Sequence, residues 1–243
     1  TSTEALRLKK LPKSMIVVGG GYISAELAHF FGSLGCKITI IQRNVKLIPN
    51  VDGEVADKFT RLFSKKYKVV LNSEVTEVKK EGKGIAVFAK DGSSGKISKY
   101  TGEQLLLAVG RISNADILDV KASGIELNER GFVKGNEFLE TNVPGVWAIG
   151  DIAGVYQFKH SANLESKYAF LNAYGKNKMS VDYRAMPYAI FSNPEVAGVG
   201  MTEQELKAKK IDYAVGKYEY IHTGMGVALQ DEEGFVKIFA DKK

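Results

Sequence analysis

The sequence predicts an α/β fold built on a parallel sheet, and three observations predict it. Short runs of apolar and β-branched residues alternate with segments of helical period over residues 15–71, in the order strand, helix, strand, helix, strand. The first strand runs straight into three glycines, Gly19-Gly20-Gly21, with an amphipathic stretch behind them. From 74 to 101 the period changes to two, with glycine-bearing turns, so a β-meander interrupts the alternation before the sheet resumes.

Each element has a local reason. Met15-Ile-Val-Val18 reads as a buried strand. Helix 22–34 follows, and Gly35 ends it, because the residue past a helix often turns left-handed and glycine does so without steric cost. Strand 37–42 comes next; Asp52 is placed to cap helix 54–66. Strand 68–71 completes a β-α-β-α-β order, which implies parallel pairing and right-handed crossovers. Segments 74–79, 85–90 and 96–100 form the meander, turning at Gly82-Lys83-Gly84 and Asp91-Gly92-Ser93. Strand 104–109 returns to the parallel sheet and ends at Gly110-Arg111. Residues 115–150 are loop-rich, helix 161–174 follows, and the lysine-rich 175–185 reads as a linker. A new pattern starts at Met186: strands 187–192 and 196–200, a capping box Thr202-x-x-Glu205 opening helix 203–209, and strands near 213–220 and 234–240.

The glycine turn carries the chemistry. Gly19-x-Gly21-x-x-Ser24 stands after a strand and before a helix, with serine in place of the third glycine. Such a turn lets backbone approach a pyrophosphate, and the helix N-terminus offers N–H groups and a positive dipole end. This predicts a Rossmann-like dinucleotide-binding domain. The end of the second strand, about 20 residues on, selects the cofactor: a carboxylate there holds a ribose 2′-OH, a cation a 2′-phosphate. Here the residues are Gln42-Arg43-Asn44, with Lys46 nearby. The acid is missing, and the planar fork of Arg43 suits a phosphate dianion, so NADPH is favoured over NADH. The alternative leaves Arg43 on the surface and gives the ribose of NADH to Gln42.

Composition narrows the classes. Hydrophobic residues make up 44% and charged residues 26% of 243, as in a globular protein. The net charge of +6 is spread among lysines that mostly stand beside acids, which argues for a solvated surface and against a nucleic-acid stripe. No apolar run is long enough to span a bilayer, so no membrane partner is expected, and a single cysteine, which allows no internal disulfide, fits a reducing cytoplasm. The single cysteine, Cys36, opens a strand and should be buried and inert. His29 and His222 lack metal-ligand spacing, so no metal is expected.

Three motifs in order extend this reading: Gly19-Gly-Gly-Tyr-Ile-x-x-Glu26, Ala108-Val-Gly-Arg-x-x-Asn114, and Thr141-Asn-Val-Pro-Gly-Val-Trp-Ala-Ile-Gly-Asp151. Together they resemble the flavin-dependent pyridine nucleotide–disulfide oxidoreductases, over essentially the whole chain. The resemblance implies FAD and a pyridine nucleotide as cofactors and a dihydrolipoamide dehydrogenase-like activity, in which hydride passes between NAD(P)H and FAD and electrons to or from a dithiol. It implies that Gly19, Gly20, Gly21, Tyr22, Ile23 and Glu26 serve the nucleotide. Tyr22 would cover the flavin until nicotinamide displaces it, and Glu26 would contact the nicotinamide end. Val75 and Gly110 would line the same site. Asp151 would hydrogen-bond the ribityl chain of FAD, and Gln157, Phe158, Lys159 and His160 would meet the flavin pyrimidine edge. The bland alternatives are that Tyr22 packs on the sheet, that Glu26 in a first helical turn serves the helix dipole, and that His160 is structural.

By the same resemblance the chain divides into an NAD(P)-binding domain (1–114), the C-terminal part of an FAD-binding domain (115–183) and the start of an α+β dimerisation domain (184–243), through which the family forms homodimers. The family's FAD-binding N-terminal half, its Cys-x4-Cys pair and its His-Pro motif are not in this sequence. The expectation is an internal fragment of a larger cytoplasmic redox enzyme, inactive alone in disulfide turnover, with apolar surface exposed over 111–180. The competing readings are, within the family, an NADPH-dependent mycothione- or mercuric-reductase-like enzyme, to which the segments 158–165 and 224–229 look somewhat closer, and, outside it, a non-catalytic dinucleotide-binding or assembly module.

Overall fold

The computed structural model describes residues 1–242. After a short helix α1 (Ser2–Ala5), the elements run β1 (Ser14–Val18), α2 (Tyr22–Ser33), β2 (Lys37–Ile41), α3 (Gly53–Lys66), β3 (Lys68–Val70), β4 (Ser73–Glu81), β5 (Gly84–Asp91), β6 (Ile97–Gly102) and β7 (Gln104–Leu107). Then come α4 (Lys159–Tyr174), β8 (Pro187–Ile190), β9 (Val196–Val199), α5 (Glu203–Ala208), β10 (Tyr213–Glu219), α6 (Gly224–Leu229) and β11 (Phe235–Asp241). The chain forms two compact units. One gathers Thr1–Val109, Ile190–Val196 and the residues from Met201 on; the other gathers Gly110–Ala189 and Ala197–Gly200.

In the first unit a parallel sheet is ordered β3-β2-β1-β7, with Val17 opposite Ile40 on one side and Leu106 on the other. The central strand is buried from Met15 to Val18, which is why it reads as a continuous apolar run rather than an alternating one. Helix α2 buries Ala25, Leu27, Ala28 and Phe31, and α3 buries Ala56, Phe59 and Phe63. The Phe59 and Phe63 rings stack at 4.6 Å. Burying such a ring contributes on the order of 2–3 kcal/mol. The antiparallel meander β4-β5-β6 replaces a helical crossover. It sets Val87 and Ala89 against Ile16, Val18 and Ile41, closing a second core layer.

Capping residues do what the sequence asks of them. The Asp52 carboxylate accepts the Glu54 N–H at the start of α3, and Thr202 and Glu205 form a reciprocal capping box on α5. Asp52 also accepts from the Glu203 N–H at 3.2 Å and from Lys237 Nζ at 3.1 Å. Lys237 lies on β11, which pairs antiparallel with β10, and its ammonium reaches Glu203 at 2.7 Å and Glu54 at 3.1 Å as well. Cys36 is buried, and burial together with the Glu103 charge pushes its thiol pKa up.

The second unit holds its own small core of Ala115, Val120, Val133 and Ala148 beneath long loops. Large apolar side chains stand exposed on it, among them Ile112 (88%), Ile117 (77%) and Tyr174 (81%), as expected for 111–180.

Several bounds differ from the sequence expectation. Helix α4 starts at Lys159, because Ser161 does not cap it but donates back to the Tyr156 and Phe158 carbonyls. The strand expected over 104–109 ends at Leu107, and the one over 187–192 at Ile190. Helix α6 was not foreseen, since two glycines weaken its local signal; Thr223 caps it by accepting from the Gly226 N–H.

Candidate functional site

The glycine turn of the first unit is shaped by backbone approach. Gly19 has φ +108°, and a Cβ there would sit 2.3 Å from the Ala108 carbonyl oxygen. Its N–H donates to the Ile41 carbonyl at 2.9 Å, while the Ala108 N–H donates to Val18, so the turn is held between β2 and the end of β7. At Gly20 a Cβ would come within 2.8 Å of the Gln42 amide. Gly21 is the N-cap of α2, and a Cβ on it would meet nothing within 4 Å. No side chain caps α2, and no acid stands in its first turn. The cradle therefore fits a pyrophosphate: Gly19 is required by neighbouring backbone, Gly20 lies under the Gln42 side chain, Gly21 faces open space, and the helix end is left for an anion.

Around the turn, Tyr22 and Ile23 are half-buried, and burial pushes the Tyr22 phenol up. Ser24, at the third glycine position, is 1% exposed, and its hydroxyl has no hydrogen-bond partner among the described residues. Glu26 falls in the second turn of α2, not the first, so the helix-dipole alternative loses its geometry. Its Oε1 accepts the Phe191 N–H at 2.9 Å. Gln42 is buried, with its amide folded over Gly20 and donating to the Lys46 carbonyl at 3.4 Å. Arg43 is exposed and forms no ion pair among the described residues, whereas Lys46 is engaged by Asp57 at 2.7 Å. Val75 packs half-buried against the Ile16–Ile41 core cluster. Gly110 is exposed, with φ +144°, and begins the second unit.

In the second unit Asp151 follows Gly150, whose φ of +71° turns the chain. The Asp151 carboxylate pairs with Arg111 at 2.7 Å, and both side chains are near half-exposed. The Gly150 N–H donates to Glu165, a side chain with no exposure whose other oxygen accepts from the Tyr183 hydroxyl at 2.9 Å. Burial, then that bond, pushes the Tyr183 phenol well up. Gln157 and Phe158 are half-buried, and Lys159 and His160 exposed, at the N-terminus of α4. That helix also lacks a side-chain cap and a first-turn acid. An exposed carboxylate after a turn, beside an open helix end, fits a polyol chain and a group that gains negative charge. Sequence reasoning missed Glu165 and Arg111. Arg111 was in view in the Gly-Arg motif, but Glu165 carries no local sign of burial on a helix of mixed polarity.

The geometry can be set against known proteins. The family model for pyridine nucleotide-disulphide oxidoreductases matches residues 1–166, and the model for the dimerisation domain of the same family matches 186–243. The chain belongs to this family. A mycothione reductase of Mycobacterium tuberculosis is 33% identical over 247 residues, covering 100% of this chain and 52% of the relative. A dihydrolipoyl dehydrogenase of Vibrio cholerae is 35% identical over 242 residues, covering 100% and 50%. Among solved structures, the HOCl-induced flavoprotein disulfide reductase RclA from Escherichia coli, seen as a Cu(II) complex, superposes with a TM-score of 0.87 at 28% identity. It covers 99% of this chain and 54% of that one. The chain thus spans about half the length of the relatives it matches. The family uses FAD and a pyridine nucleotide, and its members are oxidoreductases, which favours the enzymatic reading over a bare binding module.

Proposed function

We propose that this chain is the pyridine-nucleotide-binding portion, with part of the flavin-binding portion, of a dihydrolipoamide dehydrogenase-like flavoprotein disulfide oxidoreductase. The observation that carries the reading is the glycine cradle, in which Gly19 is forced by the Ala108 carbonyl and Gly21 faces open space ahead of an uncapped helix. FAD, when bound, would take hydride from NAD(P)H and pass electrons on to a disulfide, or the reverse. The chain's own residues bind and orient. Gly19, Gly20 and Gly21 admit the pyrophosphate, with Tyr22, Ile23, Glu26, Val75 and Gly110 lining the nucleotide's course. Asp151 receives the ribityl hydroxyls, its turn held by Glu165. Gln157, Phe158, Lys159 and His160 stand at the open end of α4, where the dipole favours developing negative charge.

The nucleotide is NADPH in this reading. Arg43 is exposed and forms no ion pair among the described residues, while the buried Gln42 amide donates to the Lys46 carbonyl, which supports the phosphate over the ribose alternative. The parent protein forms a homodimer through the region from Met186. The test uses the full-length parent. NADPH added without oxygen should bleach the visible flavin band, and Arg43→Glu should weaken NADPH binding at least tenfold while sparing NADH. Absence of bleaching with either nucleotide would sink the redox assignment; equal binding of both, untouched by the substitution, would sink the NADPH preference.

A further inference from the structure

Resting on the dinucleotide reading, we propose that Lys90 is a second cationic determinant for the 2′-phosphate of NADPH, supplied by the meander across a cleft from Arg43. The cleft has a volume of about 690 Å³ and is lined by Arg43 and Asn44 beyond β2, Asn72 beyond β3, and Lys90 with the turn that follows it. Hydrogen bonds fix these segments together. The Asn72 N–H donates to the Asn44 carbonyl at 2.9 Å, and the Gly92 N–H to the Asn72 carbonyl at 2.7 Å. The Asn72 side-chain amide donates to Ser93 Oγ at 2.8 Å, and a Cβ on Gly92 would lie 2.6 Å from the Asn72 side chain. The turn that follows Lys90 on β5 is thus stapled to the segment that carries Arg43. This is the edge of the sheet where a dinucleotide's adenosine ribose lies.

Charge on the cleft agrees. Lys90 and Arg43 are exposed and form no ion pair among the described residues, so both ammonium and guanidinium are available to an anion in the cleft. Two carboxylates share the cleft. Asp91 Oδ1 is turned into its own loop, where it accepts from the Ser93 and Ser94 N–H groups and the Ser94 hydroxyl. Glu74 stands opposite Lys90 in the strand register and is exposed. A phosphate here would gain from both cations and be opposed by Glu74, which gives the proposal a signature in sign.

Calorimetric titration of the full-length protein with NADP⁺, NAD⁺ and 2′,5′-ADP tests it; none of these probes reduces the flavin. Lys90→Glu should weaken NADP⁺ and 2′,5′-ADP tenfold or more and NAD⁺ less than twofold, and Glu74→Gln should tighten the phosphorylated pair severalfold. Lys83→Glu, the same charge change on an exposed lysine outside the cleft, should leave all three within twofold. If Arg43→Glu weakens NADP⁺ but Lys90→Glu does not, or weakens NAD⁺ equally, the assignment of Lys90 fails while the NADPH reading stands. If the unaltered protein binds neither NADP⁺ nor NAD⁺, the dinucleotide reading and this proposal fall together.

Discussion

The buried carboxylate of Glu165 accepts the N–H of Gly150, so a helix side chain fixes the turn that presents Asp151. A carboxyl group with no exposure is tolerated because both its oxygens accept hydrogen bonds, the second from the Tyr183 hydroxyl. Removing it leaves a buried N–H and a half-buried hydroxyl unpaired. Glu165→Ala should therefore cost about 3 kcal/mol, and Glu165→Gln, which keeps an acceptor, about 1 kcal/mol. Amide hydrogen exchange at Gly150 reads the effect locally: protection should collapse in the alanine variant and largely persist in the glutamine one. Equal protection in both would mean that the bond does not hold the turn.

Gly19 is a test of steric argument. Alanine there would need φ near +108° and would drive its Cβ to 2.3 Å from backbone that belongs to the sheet. Neither can relax cheaply. Gly19→Ala should destabilise by about 2–3 kcal/mol and abolish nucleotide binding. Gly21→Ala, with nothing within 4 Å, should fold with near-normal stability and fail mainly in binding. Denaturant melts paired with nucleotide titrations separate the two outcomes; a Gly21 variant that binds normally would remove the pyrophosphate from this turn.

What the sequence made legible follows from the range of the forces involved. The parallel sheet, the meander and the caps at Asp52 and Thr202 depend on local pattern, and all appear where local pattern puts them. The glycine cradle was legible because steric demands write themselves as glycine. Glu165 and Lys237 were not, because their partners are remote in sequence: a glycine N–H on another segment for one, and carboxylates from α3 and α5 for the other. Nothing in the neighbours of either residue signals burial of an ionisable group. Helix α6 escaped for the opposite reason, its two glycines masking a cap that only the folded chain reveals.

Lys237 makes the first unit acid-sensitive. Its side chain is 8% exposed and is held by Asp52, Glu54 and Glu203. Hydrogen bonds from Lys207, then Lys237 and Tyr213, lower the Glu203 pKa from 4.5 to about 2, and those from Arg61 lower Glu233 by the same amount. The folded state holds these protons more weakly than the unfolded chain does. Their stabilisation is therefore complete above pH 4.5 and lost as pH falls towards 2. Lys237→Met should cost about 2 kcal/mol at neutral pH, below the range for fully buried pairs because Glu54 and Glu203 retain solvent contact. It should also flatten the acid limb of the stability profile. A methionine variant with an unchanged acid limb would assign that limb to the Glu233 cluster alone.

Ser24 carries the last prediction. In a dinucleotide fold the third glycine of the turn serves close packing of helix on strand, not contact with the phosphates. Ser24 occupies that position, is buried, and leaves its hydroxyl without a partner among the described residues. An unmade buried hydrogen bond is a standing cost that alanine would relieve without enlarging the side chain. Ser24→Ala should raise stability by about 1 kcal/mol and leave nucleotide affinity within twofold. A stabilised protein with tenfold weaker NADP⁺ binding would instead place the hydroxyl on the ligand, and the orphaned oxygen would then mark a phosphate contact rather than a packing compromise.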